Sequence, residues 1–152
     1  MRAPENMPNH PNSPITRAEY ERLPKLPEGV VWMRPMQDMA DKLKKEYETL
    51  NTDAMTDAEV EAYTDRMMER ISSHATDSMK HSAEWSDMNF LSYLYWACME
   101  ETEFWDEVAS SEVENEEERT LRAEGMLRLH VLFGWLQAIN ARIEELGGKI
   151  EG

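Results

Sequence analysis

The chain has 152 residues, of which 41% are apolar, and its single cysteine, Cys98, excludes an internal disulfide and a cysteine-rich zinc site. Its 31 acidic and 16 basic side chains give a net charge of −15, which disfavours direct binding to nucleic acid or to an anionic membrane. No apolar run approaches the ~20 residues of a membrane span, and the first residues lack the apolar stretch of a signal peptide, so we expect a cytoplasmic protein, in a host cell or a virion if it is viral.

All seven prolines fall within the first 35 residues. This composition predicts a mostly irregular, proline-rich arm over residues 1–34. One short helix is expected inside the arm, because Thr16 and Glu19 have the spacing of a capping box. The apolar residues 30–33 are the expected point at which the arm docks. The pattern leaves open whether the arm wraps its own domain or reaches a neighbouring subunit.

Four longer helices are predicted over residues 35–148. The first begins at Pro35, a residue suited to the first helical position, and ends at Asn51. The second begins at a capping box formed by Thr56 and Glu59. The second half of this helix is rich in small residues, so we expect the closest helix contact there.

The third helix follows a short connection, with Ser86 as its predicted N-cap. Its apolar positions form two neighbouring stripes, which predict near-complete burial as far as Met99. One stripe comprises Phe90, Leu94, Ala97, Phe104 and Val108, and the other comprises Leu91, Tyr95, Cys98 and Trp105. The fourth helix has its N-cap at Ser111 or Asn115 and ends at Gly147-Gly148. Because it is apolar on more than one side, we expect the other helices to pack around it.

No segment alternates with the period of two that marks a strand, and no internal repeat is present. Four helices with short connections predict an all-α fold, namely a four-helix antiparallel bundle over residues 35–148 that carries the arm of residues 1–34. Every strong apolar stripe lies beyond residue 35. We therefore expect the chain to melt cooperatively without residues 1–29.

One helix face presents residue types that zinc accepts as ligands, at His74, Asp77 and His81. No recognised ligand motif accompanies these three residues. We therefore interpret them as a polar helix edge and predict that the protein binds no metal.

Carboxylates also recur at helical spacing, at Glu100, Glu103 and Asp106. These pairs resemble the magnesium-binding pairs of all-helical nucleotide pyrophosphatases, but the second Glu-x-x-Asp helix of those enzymes is missing from Glu112 onward. No phosphate-binding glycine loop and no nucleophile elbow is present. The sequence therefore predicts a protein that is not an enzyme and needs no cofactor.

Glu101 occupies a position in the Phe90 stripe at which an apolar residue is expected. A buried carboxylate there would pair with Arg128 or His130 of the last helix. The alternative, which we favour because glutamate is rarely buried, is that the third helix leaves the core at this point and that Glu101 is solvated.

Charge is segregated along the chain, since residues 36–118 contain 23 acidic and only 6 basic side chains. Residues 100–118, the acidic run, contain ten acidic side chains and no basic one. Aromatic residues lie inside this run, and aromatic anchors surrounded by charge are typical of protein-binding surfaces. The predicted partner-binding residues are Glu100, Glu103, Trp105, Asp106, Glu107, Glu112, Glu114, Glu116, Glu117 and Glu118.

The sequence therefore predicts a small acidic helical protein that binds a basic protein partner, for example as a nucleic-acid-mimicking modulator of phage or mobile-element type. The alternative is a structural or assembly subunit of viral type, in which the arm and the last helix form homo-oligomer contacts. A third interpretation of the acidic run is structural only: acids form solvated faces, and those at a helix start interact favourably with its dipole.

Overall fold

The computed structural model describes residues 13–25, 32–50, 54–81 and 83–150, except for the side chains of residues 81, 83 and 84. In these ranges the chain forms the helices α1 (Arg17–Arg22), α2 (Arg34–Glu48), α3 (Asp57–Ser78), α4 (Met88–Ala109) and α5 (Glu116–Glu145). Two short 3₁₀ helices, Met79–His81 and Ala83–Ser86, connect α3 to α4. No strand occurs in the described ranges, which confirms the prediction of an all-α protein. In the same ranges, no helix combines the length with the apolar character that crossing a membrane requires.

Two helix starts match the predicted capping boxes. In α1, Thr16 Oγ1 accepts a hydrogen bond from the backbone N–H of Glu19 at 3.2 Å, and the Glu19 carboxylate accepts one from the N–H of Thr16 at 3.0 Å. The same reciprocal pair joins Thr56 and Glu59 at the start of α3, at 3.1 and 3.2 Å. Each box satisfies two backbone N–H groups that a helix start leaves unpaired, so these local sequences fix where α1 and α3 begin.

The start of α4 differs from the prediction by one residue. The N-cap is Asp87, whose Oδ1 accepts hydrogen bonds from the backbone N–H groups of Asn89 at 2.9 Å and Phe90 at 3.3 Å. The predicted cap, Ser86, accepts a hydrogen bond from Arg142 Nη2 at 3.1 Å instead. The aspartate is the better cap because its charge is favourable at the positive end of the helix and its oxygen accepts from two N–H groups.

The other helix boundaries also follow local signals. α2 begins at Arg34, one residue before the predicted start at Pro35, which lies in its first turn. The predicted end at Asn51 lies outside the described residues. α5 begins after Asn115, the second of the two predicted N-caps. It ends at the predicted glycines, where Gly147 has a φ of +89°, a left-handed conformation that suits glycine and terminates the helix.

α5 is the helix against which α2, α3 and α4 all pack. The end of α4 approaches it at Gly125, where an added Cβ would lie 2.9 Å from Val108 Cγ1. α3 approaches it at Gly134, where an added Cβ would overlap Ile71, so the close contact predicted for the second half of α3 depends on a glycine of α5. Burial on more than one side of α5 follows from its two apolar stripes. The buried residues of α5 are Gly125, Leu127, Leu129, Val131, Leu132, Gly134, Trp135, Leu136, Ala138, Ile139 and Ile143.

The N-terminal segment, residues 13–25, contributes to the same core. Ile15 has no exposed surface; its N–H donates to Ser92 Oγ at 3.0 Å and its carbonyl accepts from Trp96 Nε1 at 3.1 Å. Tyr20 is also buried, with 3% of its surface exposed. The N-terminal segment therefore packs on its own domain along α4, and the expectation that the chain melts cooperatively without it is no longer favoured.

Candidate partner-binding surface

The acidic run comprises the end of α4, the connection of residues 110–115 and the first turn of α5. As far as Cys98, α4 is buried on most sides, whereas from Glu100 onward many of its residues are exposed. Acidic side chains recur around the helix after this point, and glutamate and aspartate are costly to bury. The second half of α4 therefore projects a polar surface, although its helical pattern continues.

Two of the predicted partner-binding residues contact the N-terminal segment. Glu100 accepts a hydrogen bond from the Tyr20 hydroxyl at 3.0 Å and lies 3.7 Å from Lys25 Nζ. Burial, followed by the hydrogen bond to Glu100, raises the pKa of Tyr20, so this tyrosine stays protonated as a donor. Glu103 lies 3.9 Å from Arg17 in a largely exposed pair that contributes little stability. Glu100 in particular has a structural role at this surface.

α4 leaves the core at Glu101, as the favoured interpretation expected. Glu101 itself is only partly exposed, and among the described residues it forms no ion pair with Arg128 or His130. Its Oε2 accepts hydrogen bonds from the indole N–H groups of Trp32 at 3.0 Å and Trp105 at 3.1 Å. The Arg128 guanidinium carbon lies over both rings, 4.7 and 5.0 Å from their centroids. These four residues form the Glu101 cluster. Because Trp32 comes from before α2, no helical pattern within α4 could reveal it.

The Glu101 cluster also determines how much of Trp105, the predicted aromatic anchor, is available for a contact with a partner. Trp105 is partly buried, its N–H is used by Glu101, and its ring meets that of Trp32 edge to face at 6.5 Å. The cation of Arg128 adds a favourable interaction with the same ring. Trp105 is therefore already held within the protein.

Phe104 is the aromatic residue that the acidic run exposes. Its predicted place in the buried Phe90 stripe is wrong, because 45% of its surface is exposed. Its ring packs edge to face against Trp105 with centroids 5.0 Å apart, which fixes its position without covering it. The signal in the sequence is the change in composition after Met99, where acids begin to occupy positions around Phe104.

The connection into α5 gives another predicted residue a structural role. Asn115 Oδ1 accepts from the N–H of Glu118 at 2.8 Å, and the Glu118 carboxylate accepts from Asn115 Nδ2 and from the N–H of Glu114, both at 3.1 Å. Glu116, Glu117 and Glu118 lie in the first helical turn, where negative charge is favourable. Glu118 is therefore a capping residue first, whereas the side chains of Glu116 and Glu117 point to solvent.

Most of the remaining carboxylates lack partners. Among the described residues, no ion pair or hydrogen bond involves the carboxylates of Asp106, Glu107, Glu112, Glu114 or Glu117. Glu116 pairs with Arg119 at 3.4 Å, but both side chains are largely exposed and the pair is weak. The surface around Phe104 thus carries exposed negative charge that the described part of the protein does not neutralise.

Other reactive groups give no competing site. Cys98 is fully buried, and burial followed by Glu101 raises its thiol pKa, which disfavours the nucleophilic thiolate. In the described ranges, no group of three His, Cys, Asp or Glu residues is arranged to hold a metal ion. His74 Nδ1 is buried without a hydrogen-bond partner among the described residues, and the side chain of His81 lies outside them.

The acidic run therefore exposes one aromatic ring, Phe104, and several carboxylates without a partner among the described residues. Comparison of the chain with protein-family models, with curated proteins and with solved structures finds no match.

Proposed function

We propose that the protein acts by binding a basic protein partner through Phe104 and the acidic residues around it. The observation that carries this proposal is that Phe104 is 45% exposed within the acidic run, whose later carboxylates mostly have no partner among the described residues. The proposed contact residues are Phe104, Asp106, Glu107, Glu112, Glu114, Glu116 and Glu117. Trp105, Glu100 and Glu118 support this surface through contacts inside the protein, whereas Glu103, whose side chain is largely exposed, remains a proposed contact.

The two kinds of side chain support different parts of binding. Exposed carboxylates attract a basic protein from a distance and raise the rate of association, with a strong dependence on salt. A positioned aromatic ring contributes to retention once it is covered by the partner. A surface of this kind fits a basic groove on the partner, including one that otherwise holds nucleic acid. We propose that the protein and its partner meet in the cytoplasm.

A capture experiment with matched charge variants tests this proposal. The test variant combines Glu114→Lys, Glu116→Lys and Glu117→Lys, and the control variant combines Asp38→Lys, Glu69→Lys and Asp77→Lys. Both variants change the charge by the same amount at exposed positions that carry no core side chain. We expect one basic protein to be retained at low salt by the wild-type and control chains, released by high salt, and lost from the test variant. Equal retention by the test and control variants would contradict the proposal.

A second candidate function is that of a structural or assembly subunit of viral type. Met126 and Phe133 on α5 favour it, because they are 48% and 42% exposed and lie two turns apart on one helix face. A contact between two α5 helices would cover both residues. Light scattering tests this alternative: it expects an oligomer that is insensitive to salt and dissociates with Phe133→Asp, whereas a monomer at all concentrations contradicts it.

We also infer the finer architecture on which the surface depends, an antiparallel bundle over residues 35–148 with residues 1–34 as its N-terminal arm. Contacts at both ends of α4 support this arrangement. Its last turn lies beside Gly125 in the first half of α5, and Met88 at its start lies beside Gly148 just beyond the end of α5. Opposite ends meet in this way when consecutive helices are antiparallel. An experimental structure of the full chain tests the arrangement directly.

We further propose that the protein is not an enzyme and needs no cofactor or metal. The buried Cys98 thiol and the dispersed carboxylates of the acidic run support this proposal, because catalysis requires groups that converge on one point. Dialysis against a strong chelator tests the metal. We expect an unchanged melting temperature, and a fall that zinc reverses would contradict the proposal.

A further inference from the structure

An apolar groove lies on the side of α5 that faces α2 and α3. It has a volume of about 200 Å³, and the residues that line it include Tyr47, Val60, Tyr63, Met67 and Met126. A closed cavity of about 150 Å³ accepts a benzene molecule. The groove is therefore large enough for one apolar side chain of the size of leucine or phenylalanine.

Exposed apolar residues converge on this groove. Tyr47, Val60 and Met126, which come from three different helices, are 37%, 40% and 48% exposed. Single exposed apolar residues are ordinary, but a convergent group at a concave site is typical of a binding surface. Methionines in the lining, Met55 and Met67 besides Met126, adapt easily to the shape of a bound group.

The rim of the groove is acidic. Residues 57–65, which form the first turns of α3 around Val60, contain four acidic and no basic side chains, and all four are exposed. Two exposed arginines also lie close by, Arg66 directly after this stretch and Arg122 one turn before Met126. Arg70 is neutralised, since it donates hydrogen bonds to both oxygens of Glu46 at 2.8 and 3.1 Å, so the acidic side chains outnumber the remaining cations.

This charge argues against a second copy of the chain as the occupant of the groove. A symmetric contact would bring two acidic rims together, and opposed like charges destabilise an interface. A helix with an apolar face and flanking lysine or arginine residues matches both the apolar groove and its acidic rim. Its apolar residue fills the groove while its cations lie at the rim. The first turns of α5 separate this groove from the surface around Phe104.

We infer that the groove between α2, α3 and α5 binds an amphipathic basic helix of the protein partner. This inference rests on the proposed function, because it assigns a second contact to the same basic partner. An apolar side chain of that helix lies against Tyr47, Val60 and Met126. Its lysine or arginine residues lie near Asp57 and Glu61, within one helical turn of the groove residues Val60 and Thr64.

Methionine methyl NMR on the full chain tests the inference with a synthetic probe. The probe is a helical peptide of leucine and lysine with all leucines on one face, and the control is a peptide of the same composition in scrambled order. We expect the first peptide to shift the methyl signals of Met55, Met67 and Met126 saturably. The signals of the buried Met36 and Met88 should stay in place, and the scrambled peptide should bind about tenfold more weakly.

Two substitutions distinguish binding in the groove from simple charge attraction. Val60→Asp and Met126→Asp each add a negative charge, so a purely electrostatic peptide would bind these variants more tightly. The inference expects the opposite, about a tenfold loss of affinity. Phe133→Asp is the matched control, since it places the same new charge on α5 outside the groove and should leave affinity unchanged.

The outcomes distinguish this inference from the proposed function. If wild type, Val60→Asp and Met126→Asp bound the peptide equally, the inference about the groove would be overturned. The proposal for the surface around Phe104 would not be affected. No shift of the groove signals with either peptide would overturn it as well, and a change of those signals on dilution without peptide would show a second copy there. Conversely, the peptide could bind in the groove while the variant with Lys at positions 114, 116 and 117 still captured the partner as wild type does. That result would support the groove as a binding site and contradict the proposed function.

Discussion

The N-terminal segment and the acidic run meet on α4 and use their side chains in opposite ways. The N-terminal segment has only the short helix α1, yet Ile15 has no exposed surface and Tyr20 is almost fully buried. The acidic run is largely helical and continues an apolar stripe, yet Phe104 within it is 45% exposed. Helical periodicity therefore predicts which backbone forms a helix, whereas burial depends on what the rest of the chain places against that helix.

The two regions are also joined, which divides the acidic run into two parts. Glu100 connects the acidic run to Tyr20 of the N-terminal segment, and Glu101 connects it to Trp32 just before α2, each through a hydrogen bond of 3.0 Å. The carboxylates that follow have few partners among the described residues. The first turn of the run therefore supports the fold, whereas most of the later carboxylates are exposed.

The largest expected effect on stability concerns the N-terminal segment, the region whose side chains are buried. Ile15→Ala should lower the free energy of unfolding by about 2–5 kcal/mol, because it leaves a cavity between the N-terminal segment and α4. Urea unfolding followed by circular dichroism measures the change. Arg22→Ala, an exposed substitution in the same segment, should change stability by less than about 0.5 kcal/mol. Equal effects of the two substitutions would show that the N-terminal segment contributes nothing to the core.

Much of the fold can be predicted from sequence because its signals are local. The capping box of Thr56 and Glu59 and the terminal Gly147 define helix boundaries through neighbouring residues. The burial of Ile15 cannot be predicted in this way, since its hydrogen-bond partner Ser92 lies 77 residues further along the chain. Isolated apolar residues in a proline-rich stretch carry no periodic signal.

The candidate surface could be predicted in its charge but not in its aromatic residue. A run of ten acids without a base is visible in the sequence, and solvation of most of its side chains follows directly. The choice between Phe104 and Trp105 depends on Trp32 and Arg128, which come from other parts of the chain. The Glu101 cluster covers one ring and leaves the other exposed.

The next largest effect on stability concerns the Glu101 cluster, at the start of the acidic run. Glu101→Ala leaves the indole N–H groups of Trp32 and Trp105 without their acceptor, so we expect a loss of about 1–3 kcal/mol and a change in tryptophan fluorescence. Glu101→Gln keeps an acceptor oxygen and should lose less. Glu107→Ala on the exposed part of α4 is the control, and a loss as large as that of Glu101→Ala would contradict the division of the acidic run.

A smaller effect is expected with pH, away from both regions. The hydrogen bonds from Arg70 lower the pKa of Glu46 below its ordinary value near 4.5. A lowered folded-state pKa adds stability that is complete above pH 4.5 and is lost as pH falls through the lower folded value. Because the pair is partly exposed, the contribution is about 0.2–1 kcal/mol. Unfolding measured from pH 6 down to pH 3 should show a smaller stability loss for Glu46→Gln than for wild type, and parallel curves would contradict this role of the pair.

The central claim, that exposed charge and Phe104 bind a basic partner, is tested most directly by the rates of binding to the captured protein. We expect the variant with Lys at positions 114, 116 and 117 to associate more slowly, with a weaker dependence on salt, because surface charge acts mainly on the encounter. Phe104→Ala should leave the association rate nearly unchanged and raise the dissociation rate, because it removes the covered ring. An unchanged association rate for the triple variant at low salt would contradict the claim and leave the acidic run as a solvated face.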